Sequence, residues 1–178
     1  YYNMPMLSFH SVTASHFKLY IKNGIEKVFA VLLIIFSFPV LFLFGLLVYL
    51  TSKGPVLFKQ ERVGLNGRKF YQYKLRSMVL NAEAIKHKYS HLNEQSGPVF
   101  KIKNDPRLTN LGRFMRKYSI DELPQLFNIL LGSMTLIGPR PPVPLEVKKY
   151  KDSHLRRLSM KPGITGLWQV SGRNTIHN

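Results

Sequence analysis

The sequence predicts a mainly helical α+β domain, associated with a membrane through one hydrophobic helix near its N-terminus and carrying a small β-hairpin. Three observations lead there. From Val28 to Leu50 no residue is charged, across VFAVLLIIFSFPVLFLFGLLVYL, a run of membrane length. Two strand-like segments then flank Gly64-Leu65-Asn66-Gly67, in which Asn-Gly is a strong hairpin signal. Further on, apolar residues recur at helical spacing, at Leu108, Leu111, Met115 and Tyr118 and again at Leu123, Leu126, Phe127 and Leu130.

As a straight helix the apolar run would cover about 35 Å against about 30 Å of hydrocarbon, so a plain transmembrane span is the simplest reading. Two features favour another. Pro39 lies mid-run, and both flanks are basic, with Lys18, Lys22 and Lys27 before and Lys53, Lys59 and Arg62 after. Positive flanks prefer the cytoplasm. A re-entrant helix broken near Pro39 satisfies both by entering and leaving through one leaflet. Proline supplies the break by removing a donor and crowding the preceding turn, and the nearby Ser37 hydroxyl offers a partner for a freed backbone group. Both readings stand at this point.

The hairpin strands are Val56–Gln60 and Lys69–Lys74, and Val79 to Leu92 has helical character. Pro98 and Asp105-Pro106 bracket a short extended piece, Val99-Phe100-Lys101-Ile102. The second apolar helix is expected to start at Ser119 and end near Gly132. From Gly138 the chain is rich in Pro and Gly, interrupted by a charged, helix-compatible stretch around Glu146 to Arg157.

Lys and Arg number 26 against nine Asp and Glu, a formal charge of +17. Such a surface attracts polyanions, whether nucleic acid, anionic headgroups or small phosphorylated substrates. Cysteine is absent, which excludes disulfides, thiolate nucleophiles and cysteine metal sites. The chain opens Tyr1-Tyr2-Asn3 without Met and closes in polar sequence, so it is expected to be a fragment of a longer protein.

Ser119-Ile120-Asp121-Glu122 has the form of a capping box, which is its ordinary structural reading. The setting adds a chemical one. Asp121-Glu122 is the one adjacent carboxylate pair in the chain, Arg113, Arg116 and Lys117 precede it, and Pro124 follows. One carboxylate of such a pair can attack phosphorus while the other helps to hold a divalent metal. Gly138-Pro139-Arg140-Pro141-Pro142 presents Arg140 on a stiff loop, suited to phosphate or to an ordinary rigid turn. Lys161-Pro162-Gly163-Ile164-Thr165-Gly166, followed by Trp168, Gln169 and Arg173, is a basic glycine-containing loop without a P-loop or dinucleotide fingerprint. His87 and His91, four apart with Glu83 nearby, have metal-ligand spacing, though exposed helix histidines are common.

Gly54-Pro55-Val56-Leu57-Phe58, Gln60-Glu61-Arg62-Val63-Gly64, Tyr73-Lys74-Leu75-Arg76-Ser77-Met78, Asp121-Glu122-Leu123-Pro124-Gln125, Gly138-Pro139-Arg140-Pro141 and Lys161-Pro162-Gly163-Ile164-Thr165-Gly166 together resemble the catalytic domain of bacterial sugar transferases, the monotopic polyprenol-phosphate sugar-1-phosphate transferases. The resemblance covers about Ile21 to Arg173 in order and spacing. It implies transfer of a sugar-1-phosphate from a UDP-sugar to polyprenyl phosphate with release of UMP, at the cytoplasmic face of the bacterial inner membrane. It implies Asp121 as the nucleophile forming a covalent phosphosugar and Glu122 as its metal or proton-transfer partner, both with Mg2+. Arg116 and Arg140 become phosphate binders. Lys74, Arg76, Asp105, Arg107, Gln169 and Arg173 match further family positions.

The implied division is a linker over 1–20 from an upstream domain, a membrane-embedded helix over 21–53 and a catalytic domain over 54–178 whose C-terminal part lies beyond the chain. The implied partners are UDP-sugar, polyprenyl phosphate and membrane lipids, with no nucleic acid and with homodimerisation left open. The family's basic pair and following aspartate appear here as Lys22-Asn23 and Glu26, and its Ser-Pro helix break as Phe38-Pro39. Two other readings remain beside it, a non-catalytic membrane-tethered polyanion binder and an inactive scaffold of the same fold.

Overall fold

Helix α1, His16–Thr51, runs as one element through Pro39. The computed structural model describes residues 16–93, 102, 104–150 and 152–166; Val99, Phe100 and Lys101 of the expected extended piece lie outside them. Pro39 removes the donor that would meet the Ile35 carbonyl, and the Ser37 hydroxyl donates to the neighbouring Ile34 carbonyl instead, at 3.3 Å. The expected break is therefore not an interruption of the helix. One missing bond costs less than abandoning a helix whose other backbone groups are paired within it. Among the described residues α1 is the one helix long and apolar enough to cross a membrane, and Phe36, Phe38, Phe42 and Leu50 on it are exposed.

Two hydrophobic clusters are built on this helix. Ala30 packs with Leu126, Ile129 and Met134, and Ile34 lies against them. Further along, Val48 packs with Leu75 and Met115, flanked by Leu41 and Phe44. Polar contacts fasten both ends. The Thr135 hydroxyl donates to Glu26 at 2.6 Å, Lys22 Nζ lies 3.2 Å from the same carboxylate, and at the far end the Ser52 carbonyl accepts from Arg76 Nη2 at 2.6 Å.

Strands β1, Leu57–Val63, and β2, Lys69–Leu75, form the predicted antiparallel hairpin, with Val63 opposite Lys69. Asn66 and Gly67 adopt φ of 53° and 76°, the left-handed turn for which Asn and Gly are suited. Helix α2, Asn110–Lys117, starts where the Thr109 hydroxyl accepts from the Gly112 nitrogen at 2.9 Å. Gly112 has to be glycine, because a Cβ there would collide with the Ser77 carbonyl. Helix α3, Gln125–Leu130, follows. It grips β2 through Asn128, whose Oδ1 accepts from the Tyr73 nitrogen at 3.1 Å and whose Nδ2 donates to the Tyr71 carbonyl at 2.7 Å. One carboxamide thus serves as a substitute neighbouring strand. Strands β3, Thr135–Ile137, and β4, Gly163–Thr165, pair in parallel.

Three helical expectations need correction. Val79 to Leu92 is a series of turns ending in a 3₁₀ stretch, Lys86–Leu92. Asn81 is left-handed, with φ of 66°, and the Val79 nitrogen bonds to the Arg107 carbonyl at 2.9 Å. The second apolar helix does not start at Ser119, and no capping box forms: Ser119 has φ of 58° and makes no cap bond through its side chain. Pro124 has no N–H to meet the Ile120 carbonyl, which accepts from Leu123 at 3.2 Å instead. A 3₁₀ turn, Ile120–Glu122, results, and α3 begins only after the proline. Gly132, with φ of 77°, closes that helix where expected. The charged stretch breaks into α4, Pro144–Val147, α5, Asp152–Leu155, and a 3₁₀ turn, Arg156–Ser159.

Behind α2, Arg107 donates Nε to Asp105 Oδ1 at 2.9 Å and Nη2 to Oδ2 at 2.6 Å, with both residues buried. Burial alone would raise the Asp105 pKa, but hydrogen bonds from the Arg107 side chain and backbone, together with its charge, outweigh it and hold the carboxyl below its ordinary value. Such a carboxylate contributes stability above its unfolded pKa, about 3.9, and loses that contribution as pH falls through the lower folded value. Asp105→Asn strands a buried guanidinium, so urea unfolding at neutral pH is expected to show a loss of about 3–5 kcal/mol. The gap to wild type should narrow as the pH falls below about 4.

Candidate active site

The left-handed backbone at Ser119 turns the chain sharply out of α2, so that the acidic pair sits between the last turn of α2 and the start of α3. Asp121 is 4% exposed. Its Oδ2 lies 3.9 Å from Arg116 Nε, which donates to the Ser77 hydroxyl at 3.1 Å. Glu122 Oε1 accepts from Lys74 Nζ at 2.9 Å. Lys74 belongs to β2, so Asn128 holds the strand carrying the cation against the helix that follows the acids. Burial pushes the Asp121 carboxyl up and the charge of Glu122 adds to this, while Lys74 and Arg116 oppose it. The result is a carboxylate in a poorly solvated site, loosely paired with Arg116 rather than locked in a fork. That suits a nucleophile.

A second group of charges surrounds the Gly138–Pro142 loop. The Gly138 nitrogen bonds to the Thr165 carbonyl at 2.9 Å and the Gly163 nitrogen to the Pro139 carbonyl at 3.0 Å. A Cβ on either glycine would collide with the backbone of the other. On the opposite side, Arg62 Nη1 donates to the Pro141 carbonyl at 3.0 Å and the Val63 nitrogen to that of Pro142 at 3.0 Å. Arg140, half-exposed, reaches the buried Glu146 at 3.4 Å, and Glu146 also accepts from the Val143 nitrogen at 3.2 Å. Burial, then the neighbouring Arg140, lowers the Arg62 pKa to about 10. Glu146 and Glu122 pull it the other way, so the loop cluster and the acidic pair share one electrostatic neighbourhood.

Lys74, Arg116, Asp121 and Glu122 therefore lie together, and Arg140 lies in the adjoining loop cluster. Asp105 and Arg107 are buried against each other, within reach of the charge of Arg116. Arg76 is buried at the C-terminus of α1, donating to the Ser52 carbonyl and hydroxyl at 2.6 Å each. Gln169 and Arg173 lie outside the described residues. His87 and His91 fall on the 3₁₀ stretch rather than on one α-helical face. Among the described residues no group of three His, Cys, Asp or Glu side chains converges as a metal cage. Arg62, Glu146 and Asn128 are the contributors that sequence reasoning did not single out.

The family model described as bacterial sugar transferase matches residues 17–178. The chain belongs to the bacterial sugar transferase family. It is 56% identical over 123 residues to the galactosyl transferase CpsE of Streptococcus agalactiae, covering 69% of this chain and 27% of that protein. It is 40% identical over 184 residues to the undecaprenyl-phosphate galactose phosphotransferase of Salmonella typhimurium, covering 98% and 37%. A putative undecaprenyl-phosphate N-acetylgalactosaminyl 1-phosphate transferase of Bacillus subtilis is 42% identical over 134 residues, covering 75% and 69%. The chain thus spans about a quarter to two fifths of the length of the first two of these relatives.

The opposing influences on Asp121 give a signed prediction for this family member. In a 13C NMR titration of aspartate-labelled protein, Lys74→Met should move the Asp121 midpoint to higher pH, because a cation favouring the ionised form is lost. Glu122→Gln should move it to lower pH by removing a like charge. Equal midpoints in all three proteins would disprove the assigned surroundings.

Proposed function

We propose that this chain transfers a sugar-1-phosphate from a UDP-sugar to polyprenyl phosphate and releases UMP, the initiating step of exopolysaccharide, capsule or O-antigen assembly. The observation that carries the reading is Asp121, a buried carboxylate with a raised pKa among cations that do not lock it. Relatives named for phosphotransfer to undecaprenyl phosphate support it.

In the first half-reaction an Asp121 carboxylate oxygen attacks the phosphorus bearing the sugar. An aspartyl phosphosugar forms and the phosphoanhydride bond to UMP breaks, with both electrons leaving on the UMP oxygen. A phosphate oxygen of the polyprenyl acceptor then attacks the same phosphorus, forming the lipid diphosphate sugar and returning Asp121 as carboxylate. Arg116 and Arg140 bind phosphate oxygens, and Lys74 orients Glu122. Magnesium keeps several waters and takes one or two carboxylates together with substrate phosphates, so the Asp121–Glu122 pair fits it without a larger protein cage. Held by those two residues it would neutralise diphosphate charge.

The reading places α1 in the cytoplasmic leaflet of the inner membrane as a helix bent near Pro39, entering and leaving on one side. Support comes from its two ends, since Glu26 and Val48 both pack against the same domain. The chain has no native cysteine, so single cysteines at Lys18 and Lys53 can be labelled in oriented vesicles. Both are expected to react from the cytoplasmic side; reaction from opposite sides would establish a spanning helix.

Asp121→Asn is expected to abolish UMP release and to leave no adduct, while the buried amide keeps or raises the melting temperature, because a charge penalised by burial is gone. Glu122→Gln should retain slow turnover with altered magnesium dependence. Wild-type protein incubated with a panel of UDP-sugars and no lipid acceptor, then quenched in acid, should carry a sugar-phosphate mass on the peptide containing Asp121. UMP release that requires lipid phosphate, with no adduct at any quench time, would replace the double displacement by direct transfer.

A further inference from the structure

We propose that Arg62 is a positioning residue for Arg140, which sets the direction in which the Arg140 guanidinium meets the diphosphate of the nucleotide sugar. The inference rests on the function proposed above and adds a residue that makes no contact with substrate in this scheme.

Arg62 is 8% exposed on β1. Nη1 donates to the Pro141 carbonyl at 3.0 Å and Nη2 to Gln60 Oε1 at 2.6 Å, while Nε has no partner among the described residues. The next residue, Val63, holds the Pro142 carbonyl. Two successive carbonyls of the loop therefore hang from two successive residues of one strand, directly after Arg140. On the other side β4 holds Gly138 and Pro139. Arg140 is the residue left between these two sets of anchors, and the prolines on either side restrict its backbone.

Stability alone does not account for a buried arginine here. Burial disfavours its charge and lowers its pKa, and apolar packing of similar volume commonly serves a fold as well or better. What an apolar side chain lacks is a donor for the Pro141 carbonyl and a positive charge beneath Arg140. Like-charge repulsion between the two guanidiniums favours an outward position for the half-exposed one, Arg140. Glu146, buried and anchored to the Val143 nitrogen, restrains it through a single 3.4 Å contact. The Arg140 side chain stays 40% exposed, with the rest of its donor fork available to a phosphate.

The test is equilibrium binding of UDP to the full chain in detergent, by calorimetry, with melting temperatures recorded alongside. The proteins are wild type, Arg62→Met, Arg62→Lys, Arg140→Met and the two double variants. Each Met substitution is expected to weaken UDP binding about tenfold, the size of one lost charge-assisted contact. Because Arg62 acts through Arg140, the double Met variant should bind within about twofold of Arg140→Met alone. Arg62→Lys keeps the charge but not the two-pronged grip, so its intermediate loss should likewise vanish in the Arg140→Met background. That variant carries the test where Arg62→Met does not fold.

Multiplying losses of about a hundredfold would overturn the proposal, since the two residues would then act independently. So would unchanged UDP affinity accompanied by a lower melting temperature, the mark of a purely structural arginine. Wild-type protein that binds no UDP would instead remove the nucleotide-sugar reading itself, a result separable from failure at Arg62.

Discussion

The seating of α1 is the constraint on which the rest of the molecule depends. Neither hydrophobic cluster is complete without it: Ala30 closes the one beneath α3 and β3, and Val48 the one beneath β2 and α2. The turn that carries the acidic pair, Ser119 to Leu123, joins α2 to α3 and so bridges the two clusters. Its Ile120 packs on the second, while Leu126, shortly after, belongs to the first. The position of Asp121 is thus fixed by two separate attachments to one helix.

Asp121 illustrates a second constraint, the cost of burying a carboxylate without a close partner. A carboxylate buried to this extent is penalised, and burial pushes its pKa up. Protein stability would be served by forking Arg116 onto it, as Arg107 is forked onto Asp105 a short distance away. The two pairs differ in outcome because of geometry. Arg107 and Asp105 are two residues apart on one loop and meet through two short bonds, whereas Arg116 is turned aside by the Ser77 hydroxyl and approaches Asp121 only to 3.9 Å. The same two residue types make a tight two-bond clamp in one place and a loose 3.9 Å pair in the other.

Legibility in the sequence followed the range of the interaction. The hairpin was readable because Asn66-Gly67 is a local conformational requirement, and the α1 span because twenty-odd uncharged residues leave few alternatives. Asp121 and Glu122 were readable as an acidic pair in a basic setting, yet their local backbone was not. A Ser-x-x-Glu spacing predicts a cap, and what overrode it was Pro124 together with the left-handed turn at Ser119. Asp105 and Arg107 match family positions in sequence, and their buried mutual pairing was not legible there, because linear spacing does not say which groups an arginine meets. Arg62, Glu146 and Asn128 were missed for a related reason. Arg62 and Asn128 work through contacts far away in sequence, so Arg62 reads as one more flanking charge until the proline-rich loop is laid against it, while Glu146 meets its near neighbours Val143 and Arg140 through a short helix start inside a stretch that shows only as charged.

The polar fastenings of α1 show what charged groups do at the edge of a membrane-associated fold. Apolar contacts along the helix are non-directional, and a helix with exposed apolar residues on most sides can rotate or slide at little cost. Hydrogen bonds from Thr135 to Glu26 and from Arg76 to Ser52 are directional, and each specifies one rotation and one height. Arg76 adds a cation at the C-terminal end of a helix whose own last turn has no basic residue, where it favours the dipole and satisfies a terminal carbonyl. It sits two residues beyond Lys74 on the same chain segment. The cation that meets Glu122 and the cation that caps α1 are thus consecutive same-face positions on one strand and its extension, so the seating of α1 and the geometry of the acidic pair are tied to a single stretch of backbone.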